Sequence, residues 1–494
     1  MGMIDSTSSN LLEEIRIKQA ASIRDALRQA GLFRSEADGT VFAQTDRDTD
    51  YGNDLWRISP GPFFLSSTDF HFLESLGQHL LAFYEASNQL YFESLNHRAP
   101  LWVADYLNQG KPEVVREYAR MKRFKRDLPL VIRPDLIPTD DGMIAAELDA
   151  VPGGIGQTAV LSAAYASNPE FSSKLIGGAS GILTGFERMI RARSDQGDPL
   201  LVIVVSEESK SYRPEMTWLA KALKKRGLRS LVVTPKEVSF SEAGLCVDFE
   251  GKSERIDLLY RFFELFDLKN IPKAELMLYA AKKKKVILSP PPKAHLEEKL
   301  LFALFHHPHL KQFWQRHLSK ETHAVLEKLF PKTWILDPAD VPPQALIPGL
   351  EIGGNPVNDF RRLGDATKKE RQFTIKPSGF SEWAWGSRGV SVGHDMSEAD
   401  WRKTIDHALL QFPETPYILQ QFHKGKKVRV DYADFEKGRC IEMMGRVRLS
   451  PYYFVEGKEA YLGGVLATVC SAEKKLIHGM VDAVMAPCAI SDDE

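Results

Sequence analysis

Arg133, Asp135, Glu147 and Asp149 stand in VIRPDLIPTDDGMIAAELDA, residues 131–150, where an Arg-x-Asp and a Glu-x-Asp flank an otherwise largely apolar segment. Side chains alternate between the faces of a strand, so Arg133 and Asp135 share a face, as do Glu147 and Asp149. Ile132, Ile144, Ala146 and Leu148 take the other face. The run Pro138-Thr139-Asp140-Asp141-Gly142 is a turn signal and predicts a hairpin. Its register sets Asp135 opposite Glu147 and Arg133 opposite Asp149. Three carboxylates around one guanidinium repel one another, and burial makes this worse, unless a cation neutralises them. Mg²⁺ is such a cation; it takes oxygen ligands and shares itself between one or two carboxylates and nucleotide phosphates. The same pattern also suits a solvent-exposed hairpin face laced with salt bridges.

A second stretch, RQFTIKPSGFSEWAWGSRGVSVG (371–393), brings an apolar strand to Lys376-Pro377 and then supplies Gly379, Gly386, Gly389 and Gly393 with Arg388 among them. Glycines let backbone N–H groups approach phosphate oxygens, and an ammonium neutralises them. The spacing is not that of a P-loop. Two readings remain: a lid spanning Phe380–Trp385 over a triphosphate, or a hairpin with Trp383 and Trp385 at its tip. The strand ending at Gln420-Gln421-Phe422 is a candidate hinge whose backbone could read an adenine edge. The turn VPGGIGQTAVLSAAYA, entering a helix, is either a phosphate cradle or a tight packing turn. His295, His306, His307, His309 and His317 do not have the spacing of a metal cage.

The elements that must position these residues follow from composition and periodicity. At 494 residues and 43% hydrophobic content, the chain has material for two or three domains with cores of their own. A net charge of −2 leaves no polyanion footprint, so nucleic acid is not expected as a partner. Cys246, Cys440, Cys470 and Cys488 lack paired spacing and suit a reducing compartment. No signal pattern or membrane-length apolar run is present, which predicts a cytoplasmic protein. Residues 10–31 and 69–95 have helical periodicity, giving a helical N-terminal region over 1–95. Residues 96–197 hold the hairpin. Residues 198–238 read as strand, helix, strand, and the stretch to 267 as two more apolar strands, so 198–290 form a small α/β unit. The tetralysine at 282–285 reads as a solvated strand entry, and 291–494 carry the lysine and the glycine loop.

Together these pieces resemble the ATP-grasp superfamily, in its circularly permuted branch of glutathionylspermidine synthase-like proteins, over about residues 95–485. The family's strand pair carries Arg-x-Asp and, twelve residues after the Asp, Glu-x-Asn. Asp135 and Glu147 have that spacing, with Asp149 in place of the Asn. The resemblance implies an α/β fold with a split nucleotide site in permuted order: the metal-binding half over 96–197, a pre-ATP-grasp unit over 198–290, and the nucleotide lobe over 291–494. It implies Mg²⁺ on Asp135, Glu147 and Asp149, and ATP held by Lys376, Lys332, Gly386, Gly389, Gln420 and Gln421. Arg133 and Arg388 would be catalytic, and Arg446 and Arg448 candidates for an acceptor carboxylate. The glycine loop departs from the family, because Phe380–Trp385 separates Gly379 from Gly386-Ser387-Arg388-Gly389. No cysteine precedes Cys246, so the amidase domain of some members is expected to be missing. The implied activity is joining a carboxylate to an amine at the expense of ATP; phosphoryl transfer without amide formation and a nucleotide-binding scaffold without turnover remain alternatives. The sequence does not fix the acid, the amine or the oligomeric state.

Overall fold

The computed structural model describes residues 3–32, 56–194, 197–339, 345–384, 388–474, 476–477 and 482–492. Its largest sheet has seven strands and carries the hairpin. Strand Val131–Thr139 pairs antiparallel with Gly142–Asp149 on one side and with the long strand Arg439–Glu456 on the other. Arg439–Glu456 pairs in turn with Glu459–Ser471, which pairs with Val484–Ile490. Strand Phe63–Leu65 closes that edge in parallel, so the mostly helical first 95 residues also contribute a strand beside the far end of the chain. Lys427–Asp434 pairs with the first part of Arg439–Glu456, whose later residues Leu449 to Phe454 face the hairpin strand.

The expected hairpin register is present: Arg133 lies opposite Asp149 and Asp135 opposite Glu147. Immediately beyond, between Asp135 and Leu136, the register shifts and Leu136 pairs with Ala145. This bulge breaks the alternation expected for Ile144 and Ala146, which line the same cleft as Glu147 instead of turning to the opposite face.

A smaller antiparallel sheet of four strands runs in the order Thr333–Ile335, Tyr417–Gln421, Phe373–Pro377, Ser391–Val392. Helix Glu398–Gln411 packs on it, with Trp401, Ile405 and Leu409 buried. The α/β unit is an all-parallel sheet ordered Ile287–Ser289, Leu258–Phe262, Leu201–Val205, Ser230–Val233. Leu201–Val205 is buried at every position, as a central parallel strand requires. The segment expected to hold two apolar strands divides differently. Gly244–Phe249 and the polar, largely exposed Lys252–Arg255 join Ser239–Ser241 in a separate antiparallel sheet, and Leu258–Phe262 alone enters the parallel one.

Helix Ser67–Leu95, capped by the Ser66 hydroxyl accepting from the Asp69 amide, packs against the large sheet, chiefly on strand Glu459–Ser471. Its Phe83 meets Phe305, Trp314 and Phe330, which ties it to the helices after residue 300. The four lysines at 282–285 are exposed, the first ending helix Ala274–Lys282 and the rest leading toward strand Ile287–Ser289, as expected.

Candidate active site

The hairpin of the large sheet and the two inner strands of the small sheet line a common cleft of about 430 Å³, within the roughly 300–1,000 Å³ usual for small-molecule sites. Asp135, Glu147 and Ala146 line it from the hairpin, Thr374 and Lys376 from the small sheet, and Arg446 and Arg448 from the long strand.

Lys376 is 9% exposed. Its Nζ donates to the Gln420 side-chain oxygen at 2.8 Å, on its own sheet, and to the Ala146 carbonyl at 2.9 Å, on the other. Gln420 is itself held, donating to the Thr333 hydroxyl at 3.3 Å. Burial pushes the Lys376 ammonium down to about 8, with Glu147 opposing and Lys299 adding to the shift.

Asp135 is more enclosed, at 5% exposure. One oxygen faces Arg133 Nε at 3.1 Å and accepts from the Ser450 hydroxyl at 3.1 Å; the other meets Arg448 at 3.2 Å. Burial alone would raise this carboxyl, but Arg133, Arg448 and Ser450 outweigh it and hold Asp135 below its ordinary range. Arg133 also reaches Asp149 at 3.0 Å and the Gly153 carbonyl at 3.1 Å. Burial works against its charge, and Asp135 and Asp149 more than compensate, so it stays protonated. Asp149 accepts from the Val151 amide at 2.8 Å. Burial keeps Asp149 above its usual range, Arg133 opposing and Glu147 adding to it.

Glu147 pairs with Lys299 at 2.6 Å. The three carboxylates are thus neutralised by Arg133, Arg448 and Lys299, and the crowding that a metal was expected to relieve is already relieved by the protein's own cations. Among the described residues no three carboxylates, imidazoles or thiolates form a metal-binding group. Asp149 does not line the cleft, which leaves Asp135 and Glu147 facing it. That pair matches the one or two carboxylates with which Mg²⁺ is normally held alongside phosphates, and it does not match a dedicated protein cage.

Other expected residues fall in several places. Arg133 sits behind Asp135, outside the cleft lining, and Lys332 and Arg388 are exposed and also outside it. Lys332, a candidate second nucleotide lysine whose sequence also reads as an exposed helix-end lysine, lies just before the strand Thr333–Ile335, and its carbonyl accepts from the Gln421 amide. Gln420 and Gln421 line the cleft, but the amides of Gln421 and Phe422 already donate to Lys332 and Gln372, so that pair of donors is spent within the sheet. Gly389 packs against Pro377, its amide donating to Trp383. Trp385 and Gly386 lie outside the described residues.

The glycine turn at 152–156 is not a free cradle. Glu215, buried on helix Arg213–Lys225, accepts from the amides of Gly154 at 2.8 Å and Gln157 at 3.0 Å and so occupies the helix N-terminus that a phosphate would need. Gly154 holds a φ of +82°, and a Cβ there would strike the Tyr452 hydroxyl.

Sequence reasoning missed Lys299 and Glu215. The available signal for the first was a charged triplet, Glu297-Glu298-Lys299, opening the otherwise apolar run LLFALF. For Glu215, an acid in the first turn of its own helix, local sequence gave no sign of a partner on another helix.

No protein-family model matches the chain, and no curated protein matches it in sequence. Solved structures do. A glutathione synthetase-like effector from Globodera pallida, in apo form, superposes over 97% of this chain and 98% of its own, with a TM-score of 0.56 at 12% identity. A weaker likeness, TM-score 0.41 at 12% identity over 79% of this chain and 87% of the other, links it to a gamma-glutamylcysteine synthetase candidate from Methylobacillus flagellatus. The fold is mixed α/β and is similar to that of the glutathione synthetase-like effector.

Proposed function

We propose that the protein is an ATP-dependent carboxylate–amine ligase that forms an amide bond through an acylphosphate. The observation that carries this reading is the meeting of Lys376, on one sheet, with Asp135 and Glu147, on the other, across a single cleft in a synthetase-like fold. Asp135 and Glu147 would hold Mg²⁺, which when bound supplies positive charge to the phosphate oxygens. Lys376, aimed by Gln420, neutralises phosphate charge as the γ-phosphoryl group moves. Arg133 acts behind them, keeping Asp135 ionised and in place. Arg446 and Arg448 present guanidinium groups suited to a substrate carboxylate. That carboxylate attacks the γ-phosphorus and ADP leaves; an amine then attacks the acyl carbon, loses a proton and expels phosphate. Internal neutralisation of all three carboxylates favours, as a second reading, a nucleotide-binding scaffold without turnover.

ADP release distinguishes the readings. A ligase releases ADP at full rate only with acid and amine together, and yields a hydroxamate when hydroxylamine replaces the amine. Nucleotide binding with no ADP under any combination would support the scaffold, and a stable phosphorylated product with no amine requirement would support a phosphotransferase.

A further inference from the structure

Helix Ala274–Lys282 ends in a way that the fold does not require. The amides of Lys284 and Lys285 donate to the carbonyls of Ala281 and Ala280, the paired bonds of a Schellman motif. That motif needs a left-handed residue after the cap, ordinarily glycine; here Lys284 takes the position, at a φ of +59°. One or two lysines complement the dipole at a helix C-terminus. Four in succession, Lys282–Lys285, repel one another; all are exposed, and among the described residues none is in an ion pair. Residues 269–285 hold six lysines against one acid, Glu275, in a chain whose net charge is −2.

Large apolar side chains stand exposed beside this charge. Leu276 and Tyr279 lie three residues apart and share the outer face of the helix, 41% and 44% exposed. Lys283 continues that face, its ammonium 5.4 Å from the centre of the Tyr279 ring. Lys285 packs on the turn of the neighbouring antiparallel hairpin: its Nζ donates to the Glu242 carbonyl at 3.4 Å, and a Cβ on Gly244 would lie 3.1 Å from its own. That turn follows strand Ser239–Ser241, exposed at every position, where Phe240 is 47% exposed. Leu276, Tyr279 and Phe240 thus flank the lysine run from two elements, and none of them lines the cleft between the sheets. Single exposed apolar residues are ordinary. Apolar and aromatic side chains grouped around a block of lysines are the composition of a surface that lies on a membrane.

We propose that this face docks on an anionic lipid bilayer. Lys282–Lys285 meet the headgroup phosphates and carboxylates, and Leu276, Tyr279 and Phe240 enter the interfacial layer, where the tyrosine ring is buried and its hydroxyl stays wet. Charge complementarity sets the sign of the partner. Placement sets its kind: the lysines occupy a helix end and the loop after it, which a continuous headgroup layer can reach, whereas an acidic helix needs a groove to lie in. Docking here leaves the cleft unengaged, so it is independent of nucleotide binding.

The test is co-sedimentation of the full chain with vesicles of phosphatidylcholine alone and of phosphatidylcholine mixed with phosphatidylserine. The wild type should bind the mixed vesicles only, and raising the salt from about 0.1 to 0.5 M should weaken that binding, because screening shortens the reach of the lysines. Each lysine near an anionic surface is worth roughly fivefold in affinity, so Lys283→Gln with Lys285→Gln should weaken binding at least tenfold. Lys284→Gly should weaken it about fivefold while raising the melting temperature, which separates lost binding from lost fold. Leu276→Ser with Tyr279→Ser should weaken binding at high salt as well as low. Equal binding to the neutral vesicles, unchanged binding in the lysine variants, or no binding by the wild type would overturn the proposal. Capture of the wild type by polyglutamate without vesicle binding would overturn it in favour of an acidic polypeptide.

Discussion

Lys376 on the small sheet ends 2.9 Å from the carbonyl oxygen of Ala146 on the large one. The contact joins the two sheets at the point where the hairpin bulges, and it places an ammonium beside Glu147 without a direct ion pair to it. Gln420, donating to Thr333 and accepting from Lys376, fixes the lysine's direction. A charge so placed is available to a ligand entering between the sheets.

Arg133 is the structural centre of the carboxylate group. Arg133→Met leaves the buried Asp135 and the half-buried Asp149 without their shared guanidinium. Removing one partner of a buried pair costs about 3–5 kcal/mol, so chemical denaturation should show a loss of that order. A loss under about 1 kcal/mol would mean that the group is more hydrated than its burial suggests.

Glu215 closes the helix N-terminus at Gly154 and Gln157. Glu215→Ala should destabilise the fold by about 1–3 kcal/mol, the cost of leaving buried donors unpaired. ATP affinity of the folded fraction should not change, because the turn belongs to the fold and not to the phosphate site. Loss of ATP binding out of proportion to stability would return the glycine turn to the functional site.

His295 supplies a pH dependence. Its ring stacks on Tyr91 at 3.9 Å, and burial, with Lys293, Lys111 and Arg120 nearby, holds its pKa well below 6.5. The folded protein therefore keeps a neutral ring at a pH where the unfolded chain takes up a proton. This contribution to stability is complete above pH 6.5 and falls below it, by up to about 1.4 kcal/mol per pH unit. His295→Phe preserves the stack and should flatten that part of the stability profile between pH 6.5 and 5. An identical acid slope in the variant would assign the loss to other groups.

Much of the hairpin was legible because its information is local. Alternation sets which residues share a face, the turn ending at Gly142 fixes the partner strand, and the register of Asp135 against Glu147 follows from both. The bulge was not legible, since nothing in Ala145-Ala146 marks an extra residue. The mixed α/β class and the strand–helix–strand unit after residue 198 also follow from periodicity. The cations that neutralise the hairpin were harder to read. Arg448 and Lys299 come from distant segments, and only tertiary packing tells them apart from Lys332 and Arg388, which look equally suitable in sequence and lie exposed.

On the reading proposed above, the cleft between the two sheets binds a nucleotide through Lys376. Titration of Mg-ATP into wild-type protein and Lys376→Ala tests it most directly. The expected result is saturable, one-to-one binding by the wild type and a loss of at least tenfold in affinity in the variant, with adenosine affinity unchanged in both. Wild-type affinity for Mg-ATP in a folded Lys376→Ala protein, or no binding by the wild type, would contradict it.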